Sequence, residues 1–396
     1  MNYEEYRFFK RGQSYRKGII SIRRDLHEHP ELGFEEYRTN EKIREFLDKE
    51  NIPYEVVSKT GVCALIEGGK PGKTVALRGD MDGLPLNDRK EVEYKSKIQG
   101  KMHGCGHDAH TSILLGVAKV LNSHKEDLKG NVKLLFEPAE ETVGGARFMI
   151  EEGVLENPNV DACFGLHVSE SINAGKIGLR YGVFNAASNP FNIKIKGKGG
   201  HGAHPNDTID PIVIASQVVV ALQTIVSREV LPASPAVVTI GSFNGGTAQN
   251  IIPEEVTLKG IIRTMTSEDR EMAKRRLVEI TEGICTAMRG KAEIEIEESY
   301  PCLYNDDSIL NYVRESSEEI LGKNSIEMLQ YPSMGVESFA YFSNERPSAF
   351  YFLGVRNSDK GIVNPAHGSL FDIDESALAY GVALQALNAF NYLTRT

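Results

Sequence analysis

Along residues 15–50, apolar and charged positions recur at the spacing of a helix, and this stretch gives way to two alternating runs, 53–67 and 73–79, that read as strands. The alternation returns twice. A helical stretch at 111–123 precedes the apolar run NVKLLFE (131–137), and another at 144–153 precedes VDACFGLH (160–167). Short apolar strands separated by helices predict an α/β layer with a mostly parallel sheet covered on both faces.

From about residue 186 the rhythm changes. FNIKIKGKGG, a helical stretch 210–227, VVTIGSF, VTLKGIIRT, a charged helix 267–288 and KAEIEIE follow one another as β-α-β-β-α-β, the order of a ferredoxin-like split unit. Beyond residue 300 the earlier alternation resumes through 306–321, 336–343, PSAFYFLGV (347–355) and a final helix at 374–393. The predicted architecture is an α/β catalytic domain in two pieces, 1–185 and 300–396, around an inserted α+β domain at 186–299.

Composition narrows the function classes. Of 396 residues, 41% are apolar and 25% charged, which suits a chain folded throughout. With 45 Lys+Arg against 55 Asp+Glu, the net charge of −10 opposes attraction to phosphate, so no nucleic-acid partner is expected. No window approaches the roughly 20 continuous apolar residues of a membrane span, and the amino-terminal residues lack the apolar core of a secretory signal. A cytoplasmic protein with no membrane partner is the expectation. The five cysteines are odd in number and scattered, which points to reduced thiols. Cys63, Cys163, Cys285 and Cys302 read as small buried hydrophobes, whereas histidines crowd Cys105.

All histidines but His124 fall in short clusters beside Gly, Pro, Cys, Asp or Glu. In Met102–His110 (MHGCGHDAH), glycines flank Cys105 and let the backbone turn sharply, so that Cys105 and His107 can converge as thiolate and imidazole ligands. Asp108 or Asp82 could orient an imidazole through its other ring nitrogen. The same residue types also suit a Cys–His nucleophile pair, or a plain glycine-rich turn with solvated histidines. In FEPAEE (136–141), the acidic doublet follows an apolar strand, and such sheets deliver functional groups at the carboxyl ends of their strands. One carboxylate can bind metal while its neighbour takes a proton from water. The bland alternative is a solvated surface pair.

His167 closes the strand DACFGLH, and His367 sits in the turn NPAHG (364–368). Together Cys105, His107, Glu141, His167 and His367 make a mixed S/N/O set, too large for one open tetrahedral site but suited to two divalent ions sharing a bridge. A thiolate bridge favours Zn, Ni, Co or Mn over Mg or Ca. In the inserted domain, GKGGHGAHP (197–205) offers either an imidazole that donates to a developing oxyanion or an exposed β-turn. Asn250 and Arg263 are candidates for holding a carboxylate.

Nine motifs in order, HEHPELGFEE (27–36), LRGDMDGLP (77–85), MHGCGHDAHTSILLG (102–116), FEPAEE (136–141), GLHV (165–168), GKGGHGAHP (197–205), NIIPE (250–254), GIIRT (260–264) and NPAHG (364–368), closely resemble the M20 metallopeptidase family. The likeness is to its amidohydrolase branch of N-acyl-amino-acid, hippurate and auxin-conjugate hydrolases. The resemblance implies metal binding by Cys105, His107, Glu141, His167 and His367 with Cys105 bridging, and Glu140 as general base. It also implies a lid histidine, His201, that reaches the neighbouring subunit's active site, a substrate carboxylate gripped by Asn250 and Arg263, and a homodimer built through the inserted domain. Many relatives draw a ligand from His-x-Asp. The matching stretch here is Asp80-Met81-Asp82, so Asp80, Asp82 and Asp108 are assigned supporting roles.

The expected activity is hydrolysis of the amide joining an acyl group to an amino acid, with two divalent ions (Zn, Mn, Ni or Co) per subunit. Rivals in the same reaction class are a metallo-carboxypeptidase or dipeptidase and an N-acetyl-diaminopimelate deacetylase. A metal-free Cys hydrolase using Cys105 and a non-catalytic metal-binding protein are rivals of other classes.

Overall fold

A computed structural model describes residues 3–395, which divide into two compact units. Within the described residues, the larger comprises 3–184, 304–331 and 337–395, and the smaller 185–303 and 332–336. Relative to the sequence reading, the inserted unit extends to Leu303 and recruits the distant segment 332–336. Hydrogen bonds explain that recruitment: Ala186 N–H donates to Ser333 O at 3.0 Å, and Asn185 Nδ2 donates to Gly335 O at 3.3 Å.

The larger unit is built on one eight-stranded sheet. Its first strands are β1 (Tyr54–Val57), β2 (Gly61–Glu67), β3 (Lys70–Asp80), β4 (Lys129–Glu137), β5 (Ala162–Asn173) and β6 (Ile177–Leu179), joined by Ile326–Met328 and Ser348–Arg356. The central strands β4, β3, β5 and Ser348–Arg356 lie side by side and parallel. They read as near-continuous apolar runs because both faces are covered, the pattern that parallel sheets require. Helix α1 (Tyr3–Glu28), α2 (Tyr37–Lys49) and α3 (His107–Asn122) precede a long carboxy-terminal helix, Ser376–Arg395, and α1, α3 and this last helix pack on one another. Fourteen of the sixteen α3 residues are buried, so α3 is a core element rather than an amphipathic surface helix. The register pairs Asp80 of β3 with Glu137 of β4, so adjacent strands release their carboxyl ends at one level.

The smaller unit carries Ala187–Lys196, Pro211–Thr224, Ala236–Asn244, Glu255–Thr264, Ser267–Ala287 and Lys291–Ile296, in β-α-β-β-α-β order. Its antiparallel sheet runs Ala236–Asn244, Glu255–Thr264, Ala187–Lys196, Lys291–Ile296, with two edge strands. The helix from Pro211 continues as a π turn to Glu229 and meets the length and composition of a membrane span, contrary to the sequence reading. Its Ile214, Ala215, Val218, Leu222 and Ile225 nevertheless form a buried stripe in the unit's own core. The cysteine reading also needs correction. Cys163 and Cys285 are buried, but Cys63 and Cys302 are half-buried.

Candidate metal centre

The candidate ligands all lie in the larger unit, at the carboxyl end of the parallel strands. Helix α3 is preceded by Gly106, whose φ of +97° is open to glycine and strained for other residues; a Cβ there would come within 2.3 Å of Val168 Cγ2. That tight turn places Cys105 just outside the helix and His107 and His110 one turn apart on the same face. β3 ends in Asp80 and leads to Asp82, β4 ends in Glu137 and leads to Glu140 and Glu141, and β5 carries His167. The loop bearing His367 is stitched to the cysteine turn by its own amide, which donates to Gly104 O at 2.8 Å.

Two groups of three donor atoms, each mutually within 4.8 Å, share the same sulfur: Cys105, His107 and His167 form one, and Cys105, Glu141 and His367 the other. Cys105 Sγ lies 3.4 Å from His167 Nε2, and His367 Nε2 lies 3.3 Å from Glu141 Oε1. Glu140 joins His107 and Glu141 in a further close group. The surrounding hydrogen bonds fix the imidazoles. His107 Nδ1 donates to Asp82 Oδ1 at 3.1 Å and His167 Nδ1 to Val168 O at 2.7 Å, so both rings turn an Nε2 lone pair toward the sulfur. His110 is different. Its Nδ1 donates to Asp80 Oδ1 at 2.6 Å and its Nε2 accepts the Val168 amide at 2.9 Å, which uses both nitrogens inside the wall.

His107 Nε2 and Glu141 Oε1 are buried and lie 3.8 Å apart; His107 Nε2 finds no hydrogen-bond partner, and Glu141 Oε1 has only the His367 ring, 3.3 Å away, beside it. Two buried lone-pair atoms left facing each other are costly unless an electrophile sits between them. One thiolate, three imidazoles and one carboxylate form the donor set of a borderline divalent ion, and the residues therefore fit a shared-ligand pair of such ions. Electrostatics agree. Burial opposes charge on His107, yet Asp80 and Cys105 hold its pKa well above the usual imidazole value. Burial, Glu337 and Glu141 push Glu140 well above the carboxylate range, while His367 and His107 outweigh burial and hold Glu141 at about 2. The same negative surroundings that favour a proton on His107 would favour a cation in its place.

Each remaining sequence candidate has a definite place. Asp82 supports His107 as described and also accepts the Glu140 and Glu141 amides at 3.1 Å each. Asp80 pairs with His110 and, through Oδ2, with Arg78 at 2.6 Å. Asp108 does not reach a ligand imidazole: its Oδ2 binds His27 Nδ1 at 2.7 Å and Arg23 Nε at 2.8 Å, a fully buried group that anchors the start of α3. His201, Asn250 and Arg263 belong to the smaller unit. There His201 is exposed, its strand pairs with Ile251–Ile252, and Gly202 N–H donates to Asn250 O at 2.8 Å, so the two candidate residues lie on neighbouring paired segments. Arg263 is half-buried and its NH1 lies 3.4 Å from Met334 O.

Sequence reasoning missed the layer behind Glu140. Arg78 is buried and pairs with Glu137 Oε2 at 2.6 Å and Glu337 Oε1 at 2.9 Å, and its NH2 donates to Ser338 Oγ at 2.9 Å. Ser338 in turn donates its amide to Glu140 Oε1 at 3.0 Å. Arg78 and Glu137 lie inside quoted motifs, so their burial was a findable signal. Glu337 and Ser338 gave none.

The model for peptidase family M20/M25/M40 matches residues 76–389. The chain belongs to family M20. It is 42% identical to the IAA-amino acid hydrolase ILR1-like 4 of Arabidopsis thaliana over 381 residues, 95% of this chain and 86% of that protein. It is also 42% identical to the N-acetyl-L-cysteine deacetylase of Bacillus subtilis (strain 168) over 364 residues, 91% of this chain and 85% of the other. Among solved structures, the YXEP protein of Bacillus subtilis, described as a dinuclear metal-binding peptidase from the M20 family, superposes with a TM-score of 0.83 at 34% identity, covering 96% of this chain and 99% of that one. These relatives put this M20 chain in the amidohydrolase branch, as a metal-dependent hydrolase of amide bonds.

Proposed function

We propose that this M20 amidohydrolase cleaves the amide of N-acyl amino acids, releasing a carboxylate and a free amino acid. The observation that carries the reading is the sharing of Cys105 by two donor groups with Glu140 held beside them. Cys105, His107, Glu141, His167 and His367 would hold two divalent ions from among Zn, Mn, Ni and Co, which supply the Lewis acidity that polarises the scissile carbonyl and acidifies water. Glu140 accepts a proton from the attacking water and passes it to the departing amine, while the Ser338 amide fixes its Oε1. His201 donates to the oxyanion, and Asn250 and Arg263 bind the amino acid's carboxylate.

The working form in this reading is a homodimer joined through the inserted unit. Val213 and Val220 on the helix from Pro211 are 47% and 66% exposed, Leu231 beyond it 67%, and the edge strand Ala236–Asn244 offers unpaired backbone groups. Such a face favours a second copy, with His201 serving the partner's centre.

The test is a hydrolysis screen of N-acetyl, N-benzoyl and unblocked aminoacyl amino acids, with N-acetyl-diaminopimelate included, on enzyme reloaded in parallel with Zn, Mn, Ni and Co. Faster cleavage of the acylated substrates supports the proposal. Preference for unblocked dipeptides replaces it with a dipeptidase, and activity that survives EDTA replaces it with a thiol hydrolase.

A further inference from the structure

The segment His27–Glu36 carries one of the family-like motifs, yet nothing above gives it a part in the reaction. Glu36 occupies the residue before α2, where a side-chain oxygen ordinarily accepts from amides of the first turn, but it makes no such bond. Glu31 caps the helix instead, accepting the Arg38 amide at 3.0 Å and the Thr39 amide at 2.8 Å. Released from that duty, the buried Glu36 turns toward the acidic doublet. Its Oε1 accepts the Ala139 amide at 2.8 Å, and Thr60 Oγ1 donates to its Oε2 at 2.6 Å.

Ala139 needs holding. It stands immediately before Glu140 with φ of +53°, in the left-handed region that disfavours alanine. Gly33 makes room for it, since a Cβ on Gly33 would come within 2.9 Å of Ala139 Cα and Cβ. Three successive amides are then bound by two buried carboxylates: Ala139 by Glu36, and Glu140 and Glu141 by Asp82. Asp82 fixes the peptides of the doublet itself. Glu36 fixes the one before it, which sets the direction in which Glu140 leaves β4.

We infer that Glu36 is a positioning residue for Glu140, acting through the Ala139 amide on the chemical step and not on substrate or metal binding. This rests on the reading of Glu140 as general base. Burial raises the Glu36 carboxyl to about 7, so the acid is substantially protonated near neutrality and glutamine is its near-isosteric, uncharged substitute.

The metal-loaded enzyme is compared as wild type, Glu36→Ala, Glu36→Gln and Glu36→Asp by kcat and KM on an N-acetyl amino acid, metal content, and exchange of the Ala139 and Glu140 amides. Glu36→Ala should lose roughly 10- to 100-fold in kcat, the scale of a misplaced reacting group, with KM and metal content unchanged and both amides exchanging faster. Glu36→Gln should restore kcat and protection. Full kcat in Glu36→Ala, an equal loss in Glu36→Ala and Glu36→Gln, or a loss explained by missing metal overturns the inference. If Glu36→Ala does not fold, Glu36→Asp, which withdraws the oxygen from Ala139, must show the same kcat-specific loss, and wild-type turnover there overturns it. If the wild type cleaves no N-acyl amino acid, the substrate reading fails alone. Amide exchange then decides the present inference, which indifference to Glu36 overturns.

Discussion

Two glycine-rich histidine turns, 102–110 and 197–205, look alike in sequence and present opposite chemistry in the folded chain. In the first, the His107 Nδ1 proton is committed to Asp82, so the tip of the ring offers a lone pair. In the second, His201 Nδ1 accepts the Ala203 amide at 3.0 Å, which places the ring proton on Nε2 and makes the exposed tip a donor. One turn is built to receive a cation and the other to offer a hydrogen bond. The partner of Nδ1, a carboxylate in one case and a backbone amide in the other, decides which.

The comparison breaks first at Glu140, the proposed base, which stands beside the first of these tips. Glu140→Ala should lower kcat by about 100- to 10,000-fold while metal content stays near wild type, because the residue is proposed as base and not as ligand. Turnover within tenfold of wild type removes Glu140 from that role. Loss of metal in the same variant would instead make it a ligand.

His201→Ala should cost on the order of 100- to 1000-fold in turnover, the usual effect of removing one oxyanion donor. Its metal content should be untouched, in contrast to His107→Ala, which should lose metal. If His201 serves the partner subunit, mixing inactive Glu140→Ala and His201→Ala chains restores part of the activity, since a mixed dimer holds one intact composite centre. Subunit exchange without recovery assigns His201 to its own chain or to no role in turnover.

Much of this layout was legible in the sequence because it is local. Cys105 and His107 are two residues apart across a glycine that only a left-handed turn explains, and Glu140 and Glu141 follow the strand that delivers them. The parallel order of β4, β3 and β5 then brings their ends together. What escaped reading is the second layer, whose partners are remote in the chain: Arg78 with Ser338, Ser338 with Glu140, Glu36 with Ala139. A buried pair separated by 103 to 260 positions leaves no periodicity for local pattern to detect. Asp108 was misdirected for the same reason. It neighbours His107 in sequence, but its carboxylate turns back to His27 and Arg23 on α1.

The acidic doublet beside the buried turn rests on a titratable support, Glu36, which makes its neighbourhood sensitive to pH. The unfolded chain releases the Glu36 proton near the ordinary carboxylate value of 4.5 and the folded chain near 7, because burial disfavours the charged form. Between those values the folded state binds more protons, so stability falls as pH rises, with the penalty absent below the window and complete above it. That difference corresponds to about 3 kcal/mol, at roughly 1.36 kcal/mol per pKa unit. Glu36→Gln should remove this slope from denaturant unfolding between pH 4.5 and 7, and an unchanged slope would show that Glu36 ionises in the fold as it does in the open chain.

The finest distinction between the turns lies in Asp82, for which the 197–205 turn has no counterpart on its imidazole. Its Oδ1 accepts from His107 Nδ1 and the Glu140 amide, and its Oδ2 from the Glu141 amide, so every donor facing it is an N–H. Asp82→Asn keeps the shape but supplies one oxygen and one NH2 group, and the NH2 must oppose an N–H whichever way the amide turns. His107 then loses part of the bias that points its lone pair inward. Metal affinity should fall about 10- to 100-fold, as is usual when an outer partner of a ligand histidine is removed, and turnover should recover at saturating metal. Turnover that stays depressed at saturation would mean that Asp82 matters mainly through the Glu140 and Glu141 amides, and the orientation of His107 would then rest on the packing of α3.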